Sequence, residues 1–182
     1  MKNHETTEEV TISRSSPNDI LGIRNVWYET WLDTYPNKTL GITVEDIEDR
    51  FKDYFTPESL EEGRATLKKL PENEVFFVAK IDQEVVGFCR VVSKNGKNRI
   101  RAFYVLPDTQ GRGIGTRLWE AVRGSLELEN PTYVDLADYN KGAQAFYEKI
   151  GFEDTGKRWS DPELTLASGV SIPEMEMVLG IE

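Results

Sequence analysis

The sequence predicts a mixed α/β domain built on a largely antiparallel sheet, and three observations carry that prediction. β-rich runs follow one another through the middle of the chain, separated by short turns. Apolar residues at helical spacing flank that block on both sides. Between the block and the C-terminal part come a strand, a glycine turn, a helix and another strand, an order that describes a crossover between two parallel strands. The 182 residues suit one domain, since a domain typically holds roughly 100–200 residues. The expected layout is a loose polar tail over residues 1–9 and a single domain over 10–182.

The elements follow in order. "VTISRSS" reads as a short strand. Ser16 is a cap signal, with Pro17 at the first helical position, and Tyr35-Pro36 ends the helix that follows. Ile20, Ile23, Trp27 and Trp31 recur on one face of it. "TVEDIEDRFKDYF" predicts a second helix capped by Thr43, and residues 57–70 read as a third helix or an irregular turn before Pro71. "EVFFVAKI" and "EVVGFCRVVS" then form a hairpin around Asp82-Gln83, and Asn95-Gly96 turns the chain into "RIRAFYVL". After the glycines, Ile114, Leu118, Ala121, Val122 and Ser125 share a helical face. "TYVDLAD" is a strand, and "KGAQAFYEKI" is a helix with Ala143, Phe146, Tyr147 and Ile150 on one side, stopped by Gly151. "FEDTGKRWS" and "SIPEMEMVL" close the domain as a strand pair.

Composition narrows the function. The net charge of −10 argues against nucleic-acid binding, which needs a basic face, and is compatible with a cationic acceptor such as an amine. No apolar run approaches the ~18 residues of a membrane span, and the polar, acidic start carries no signal-peptide pattern, so a cytoplasmic protein is expected. Cys89 is the single cysteine and lies in an apolar strand, where a buried inert thiol is expected. His4 is the single histidine and lies in the polar tail. Ser–His and Cys–His hydrolases and histidine-based metal sites are thereby excluded, and no metal is expected.

The segment "VLPDTQGRGIGTRLWEAV" places Gly111, Gly113 and Gly115 where a helix must start. The first turn of a helix has backbone N–H groups without partners, and the helix dipole favours an anion there. Glycines let a phosphate approach those groups, and Arg112 adds positive charge. The nucleotide-triphosphate loop requires Gly-Lys-Ser/Thr, but Thr116 follows Gly115 and no lysine is near. The dinucleotide fingerprint fits Gly111 and Gly113 but finds Thr116 at its third glycine. Asp135 lies near the place of that fingerprint's acidic residue. The antiparallel block ahead of the glycines speaks against a doubly wound sheet, so this reading ranks last.

"YVLPDTQGRGIGTRL" resembles the acetyl-CoA signature of the GNAT N-acetyltransferase superfamily, Gln/Arg-x-x-Gly-x-Gly/Ala, with Gln110, Gly113 and Gly115 at its fixed positions. A second superfamily segment follows in "DLADYNKGAQAFYEKIGF", where Asn140, Ala143, Phe146, Tyr147, Gly151 and Phe152 match. The matching positions span roughly residues 74–152, and the N-terminal third agrees only in layout.

The resemblance implies a six- to seven-stranded mixed sheet with a splayed central parallel pair and about four helices. It implies acetyl-CoA as co-substrate and direct transfer of acetyl to a primary amine of a small molecule, peptide or protein through a tetrahedral intermediate. Backbone groups of Phe103, Tyr104 and Val105 would bind the pantetheine arm. Gln110, Gly111, Arg112, Gly113, Ile114, Gly115 and Thr116 would hold the pyrophosphate, and Asn140 would both cap its helix and contact the cofactor. Tyr147 would protonate the departing CoA thiolate, since a phenol with a pKa of ~10 stays protonated. Trp27, Trp31, Tyr35 and Asp138 are candidates for the acceptor side. Some superfamily members carry a glutamate early in the strand before the glycines. Here "NRIRAF" has only Arg99 and Arg101, which leaves the base to Glu29, Asp138 or ordered water. Dimers are common in the superfamily, although the sequence itself sets no oligomeric state. The competing reading is a non-catalytic acyl-CoA-binding or sensing module.

Overall fold

A computed structural model describes residues 9–127 and 129–180. The expected tail and its His4 lie outside the described residues, apart from Glu9. Strand β1 (Val10–Arg14) leads through a short 3-10 turn, Pro17–Asp19, into α1 (Ile20–Thr34), α2 (Val44–Phe51) and α3 (Pro57–Lys68). Then come β2 (Glu74–Ile81), β3 (Glu84–Lys94), β4 (Lys97–Val105), α4 (Ile114–Arg123), β5 (Thr132–Ala137), α5 (Lys141–Lys149), β6 (Glu153–Thr165) and β7 (Ser171–Leu179). The seven strands form one sheet in the order β1-β2-β3-β4-β5-β7-β6. Every pair is antiparallel except β4 and β5.

Local chemistry explains the boundaries. Asp19 accepts from both the amide and the hydroxyl of Ser16, which fastens the entry to α1. Thr43 and Thr56 cap α2 and α3 through the amides of Asp46 and Ser59. With Pro57 at its start, Pro57–Lys68 is therefore a helix, and the described residues hold five α-helices. Both hairpin turns take positive φ at their two central residues, Asp82 (48°) with Gln83 (72°) and Asn95 (54°) with Gly96 (68°). That backbone matches the twist of the flanking strands.

The sheet is covered on both faces. Ile20, Ile23 and Val26 of α1 pack on Val78, Phe88 and Ala102. On the opposite face, Trp119 and Val122 of α4 and Tyr147 of α5 pack on Cys89, Ile100, Val134 and Met175. The sequence-based face of α4 needs one correction. Ser125 lies beyond the helix end and is exposed, while Trp119 is buried beside Leu118 and packs edge-on against Phe152.

The parallel pair is the feature that positions the site. β4 and β5 pair only over Asn98–Ile100 with Thr132–Val134. The register of β4 against β3 slips between Arg90 and Val91, leaving Arg101 as an extra residue. A bulge bends its strand and increases local twist, and the two strands part at this point. Asn98, 1% exposed, ties the closed end. Its amide nitrogen donates to the carbonyls of Glu127 (3.3 Å) and Asn130 (3.2 Å) and to Thr132 Oγ1 (3.4 Å), and its side-chain oxygen accepts from Ser93 Oγ at 2.7 Å.

Candidate active site

Past Ile100 the strands separate around a cleft of roughly 600 Å³. Which backbone groups face it follows from the β3–β4 ladder. Leu106 donates to the carbonyl of Val86 at 2.8 Å, and antiparallel strands alternate hydrogen-bonded and non-bonded pairs. With Val105 opposite Gly87, the N–H and C=O of Phe103 and Val105 turn away from β3 toward the opening. Those of Tyr104 are spent on β3. The Tyr104 side chain lies on the α1 face, stacked on Trp27 with centroids 5.8 Å apart. Phe103 lies on the other face, edge-on to Phe146 at 5.3 Å.

The glycine turn continues this wall. Gln110 Nε2 donates to the Val105 carbonyl at 3.0 Å, which closes the loop against the strand end. Gly113 is the N-cap of α4 at φ 79°, in the left-handed region, and no side chain caps the helix. The N–H groups of Ile114, Gly115 and Thr116 make up the first turn, and intrahelical bonding starts with Arg117 N–H to the Gly113 carbonyl. Cβ atoms at Gly111 and Gly113 would meet nothing within 4 Å, so the space before these amides is open. Gly115 differs, because a Cβ there would lie 3.1 Å from the Phe146 ring. The third glycine thus serves helix packing as well as access. Gln110, Gly111, Gly113, Ile114, Gly115 and Thr116 all line the cleft. Arg112 is exposed at the loop surface and is not on the cleft wall.

The second motif forms the facing wall. Asn140 Oδ1 caps α5 by accepting from the Ala143 amide at 3.0 Å. Tyr147 is 5% exposed, lines the cleft and packs between Phe103, Phe146 and Phe152. Burial above all, with the neighbouring Cys89 and Tyr104, holds its hydroxyl well above the ordinary tyrosine range. It is a neutral donor at every physiological pH. Cys89 itself is fully buried, and burial pushes its thiol up as well.

The candidate acceptor side separates into core and wall. Trp27 packs among Tyr54, Phe88 and Tyr104, and Trp31 is 5% exposed. Trp31 donates through Nε1 to Tyr104 Oη at 3.1 Å and stacks on Tyr35 at 4.2 Å. Neither tryptophan lines the cleft; Tyr35 does. Asp138 is half-buried and lies off the wall, its carbonyl accepting from Lys141 Nζ and Gln144 Nε2. Glu29 is exposed and also off the wall.

Sequence reasoning missed Thr30, Asp33 and Tyr139, which line the same opening, and noted Asp135, which also lines it, only for the dinucleotide fingerprint. It also missed Glu174, whose carboxyl is raised to about 7 by burial and by the charges of Asp135 and Asp161, with Trp159 opposing. The alternation in "PEMEMVL", apolar Met175 and Met177 between Glu174 and Glu176, was the available signal that both carboxylates leave the core face.

Comparison with known proteins agrees with this geometry. Residues 72–154 match the family described as Acetyltransferase (GNAT) domain. An uncharacterized N-acetyltransferase of Methanocaldococcus jannaschii is 34% identical over 92 residues, 46% of this chain and 41% of that protein. The peptidyl-lysine N-acetyltransferase YjaB of Salmonella typhimurium is 31% identical over 88 residues, 48% of this chain and 56% of that protein. The chain thus spans about half the length of these curated relatives. Two solved structures share the fold at low identity. One is the PaiA N-acetyltransferase of Thermoplasma acidophilum in complex with coenzyme A, with TM-score 0.69, 22% identity, and coverage of 92% of this chain and 98% of that one. The other is a GNAT-family acetyltransferase of Streptococcus pneumoniae, with TM-score 0.70, 15% identity, and coverage of 93% and 98%. With its splayed parallel pair and glycine turn, the segment 72–154 is thus similar to an acetyltransferase domain of the GNAT superfamily.

Proposed function

We propose that the protein is an acetyl-CoA-dependent N-acetyltransferase that moves an acetyl group directly to a primary amine of a small molecule, peptide or protein. Residues 10–182 act in this reading as one domain. The observation that carries it is two sets of backbone donors on one cleft, those of Phe103 and Val105 on β4 and those of the uncapped first turn of α4.

The residues fit that co-substrate in class and order. The N–H groups of Ile114, Gly115 and Thr116 offer an anion site at the positive end of a helix dipole, suited to a pyrophosphate. Phe103 and Val105 offer strand-like backbone partners to an amide-bearing arm. An N–H from this edge would polarise the thioester carbonyl and stabilise the tetrahedral oxyanion. Tyr147, neutral and buried on the facing wall, would give its proton to the thiolate as the carbon–sulfur bond breaks. The names of the curated relatives, an N-acetyltransferase and a peptidyl-lysine N-acetyltransferase, support an amino group as acceptor. The coenzyme A held by the Thermoplasma protein supports the donor.

Two measurements test the reading. Calorimetry with acetyl-CoA should show one site per chain, and NAD should not bind. A thiol-release assay over polyamines, amino acids, lysine peptides and aminoglycosides should show turnover with at least one class. Binding of acetyl-CoA with no release to any of them would establish a binding or sensing module instead.

A further inference from the structure

Among the described residues three cations line the cleft, Arg101, Lys141 and Lys149. Lys141 Nζ is already held by the Asp138 carbonyl at 3.2 Å and by Gln144 Oε1 at 3.1 Å. Arg101 is the extra residue of β4, next to the point where the parallel pair parts. Lys149 is exposed in the last turn of α5 and forms no ion pair among the described residues. A lysine there suits the negative end of the helix dipole wherever it points. What sets Lys149 apart is the turn it covers. It follows Phe146 by three positions, and residues three apart are neighbours on one helix face. Helical side chains lean toward the N-terminus of their helix, over the preceding turn. The Lys149 stem therefore runs back toward Phe146. The Phe146 ring in turn lies against Gly115, 3.1 Å from where a Cβ would stand.

Gly115 and Thr116 belong to the uncapped first turn of α4 and line the same cleft. α5 thus brings an ammonium beside the amides of that turn. The carboxylates on the wall lie elsewhere. Asp33 belongs to α1, which packs on the other face of the sheet, and Asp135 is held by Arg99 at 2.6 Å. Resting on the acetyltransferase reading above, we propose that Lys149 binds a phosphate of acetyl-CoA and completes, with the α4 amides, an anion site built from two helices. The two parts do different work. The amides donate from fixed directions and set where one phosphate sits. The lysine is a point charge on a flexible four-carbon stem, and it reaches either the pyrophosphate or the 3′-phosphate of the same ligand. The bond to phosphate is charge-assisted, and hydrogen bonds of that kind are the strong ones.

Calorimetry at low salt tests this with acetyl-CoA and with acetyl-dephospho-CoA, which lacks the 3′-phosphate. Lys149 is exposed, so its variants leave the core undisturbed. Lys149→Met should raise the dissociation constant for acetyl-CoA about 10-fold. Lys149→Glu should raise it further, and Lys149→Arg should stay near wild type. The Lys149→Met loss should shrink as salt rises. Lys69→Met removes the same charge from the end of α3, off the cleft wall, and should leave the constant unchanged. A loss that persists with acetyl-dephospho-CoA supports the proposal with the pyrophosphate as partner, and a loss that vanishes supports it with the 3′-phosphate. A Lys149→Met protein that binds acetyl-CoA as the wild type does overturns the assignment and leaves the acetyltransferase reading intact. A loss equalled by Lys69→Met is an effect of net charge and overturns it too. A wild type that binds no acetyl-CoA removes the acetyltransferase reading and this assignment together.

Discussion

Gln110 Nε2 donates to the carbonyl of Val105 at 3.0 Å, joining the glycine turn to the strand that precedes it. The bond has a directional consequence. Both polar groups of Val105 face the cleft, and Gln110 occupies one of the two lone pairs of its carbonyl. The turn presents donors, which suit phosphate oxygen, and the strand edge presents donors with the free Phe103 carbonyl, which suit an amide-bearing arm.

Gln110→Ala should consequently weaken acetyl-CoA binding while leaving the fold intact. A neutral hydrogen bond contributes about 0.5–1.5 kcal/mol, so the dissociation constant should rise roughly 3- to 10-fold. Gln110→Glu should be worse, because it points a carboxylate at a carbonyl. Calorimetry on both variants checks the order.

Gly113→Ala and Gly115→Ala should fail for different reasons. At Gly113 the φ of 79° is the obstacle and the surrounding space is open. The expected cost is about 1–2 kcal/mol of stability, read by urea unfolding. At Gly115 the backbone is helical, and the obstacle is the Phe146 ring 3.1 Å from the new Cβ. Gly115→Ala combined with Phe146→Leu should recover stability, and the same partner change should not help Gly113→Ala.

Tyr147→Phe should preserve the fold, because the ring stays in its aromatic cluster. Affinity for acetyl-CoA should hold and kcat should fall by about 100-fold. Unchanged turnover would remove Tyr147 from the reaction.

Asn98→Ala should destabilise by about 2 kcal/mol or more, since it strips partners from buried polar groups of β5 and the loop before it. The pairing of β4 with β5 is only three residues long. Hydrogen exchange should therefore rise first at Asn98–Ile100 and Thr132–Val134.

Glu174 should also mark the pH dependence of stability, independently of any activity. Its folded pKa, about 7, lies above the ordinary value of 4.5. The folded state thus binds the proton more tightly. That contribution is fully present below about pH 4.5 and is lost as pH rises through 7. Glu176 has the opposite sign, because Lys157 and Arg99 hold it below its ordinary value, and its contribution is lost in acid. Relative to wild type, Glu174→Gln should gain stability between pH 5 and pH 8 in urea titrations, and Glu176→Gln should flatten the acid side.

What was readable in the chain alone was whatever depends on neighbours in sequence. Asn95-Gly96 names its own turn, Ser16 with Asp19 names a helix start, and alternating apolar residues name the strands of the central block. The two motifs were readable for the same reason, since the glycine turn and the Asn140–Phe152 segment are each continuous. Tertiary structure alone decided where β4 and β5 part, because that depends on a bulge at Arg101 defined only by its partner strand. It also decided that Trp27 and Trp31 belong to the core while Tyr35, from the same helical region, reaches the cleft. Helical spacing gives a face but not what covers it. Glu174 is the clearest case. Its proton affinity is raised first by burial and then by Asp135, 39 positions earlier, and Asp161 on β6. Electrostatic coupling depends on distance through space, and only the folded sheet supplies that distance.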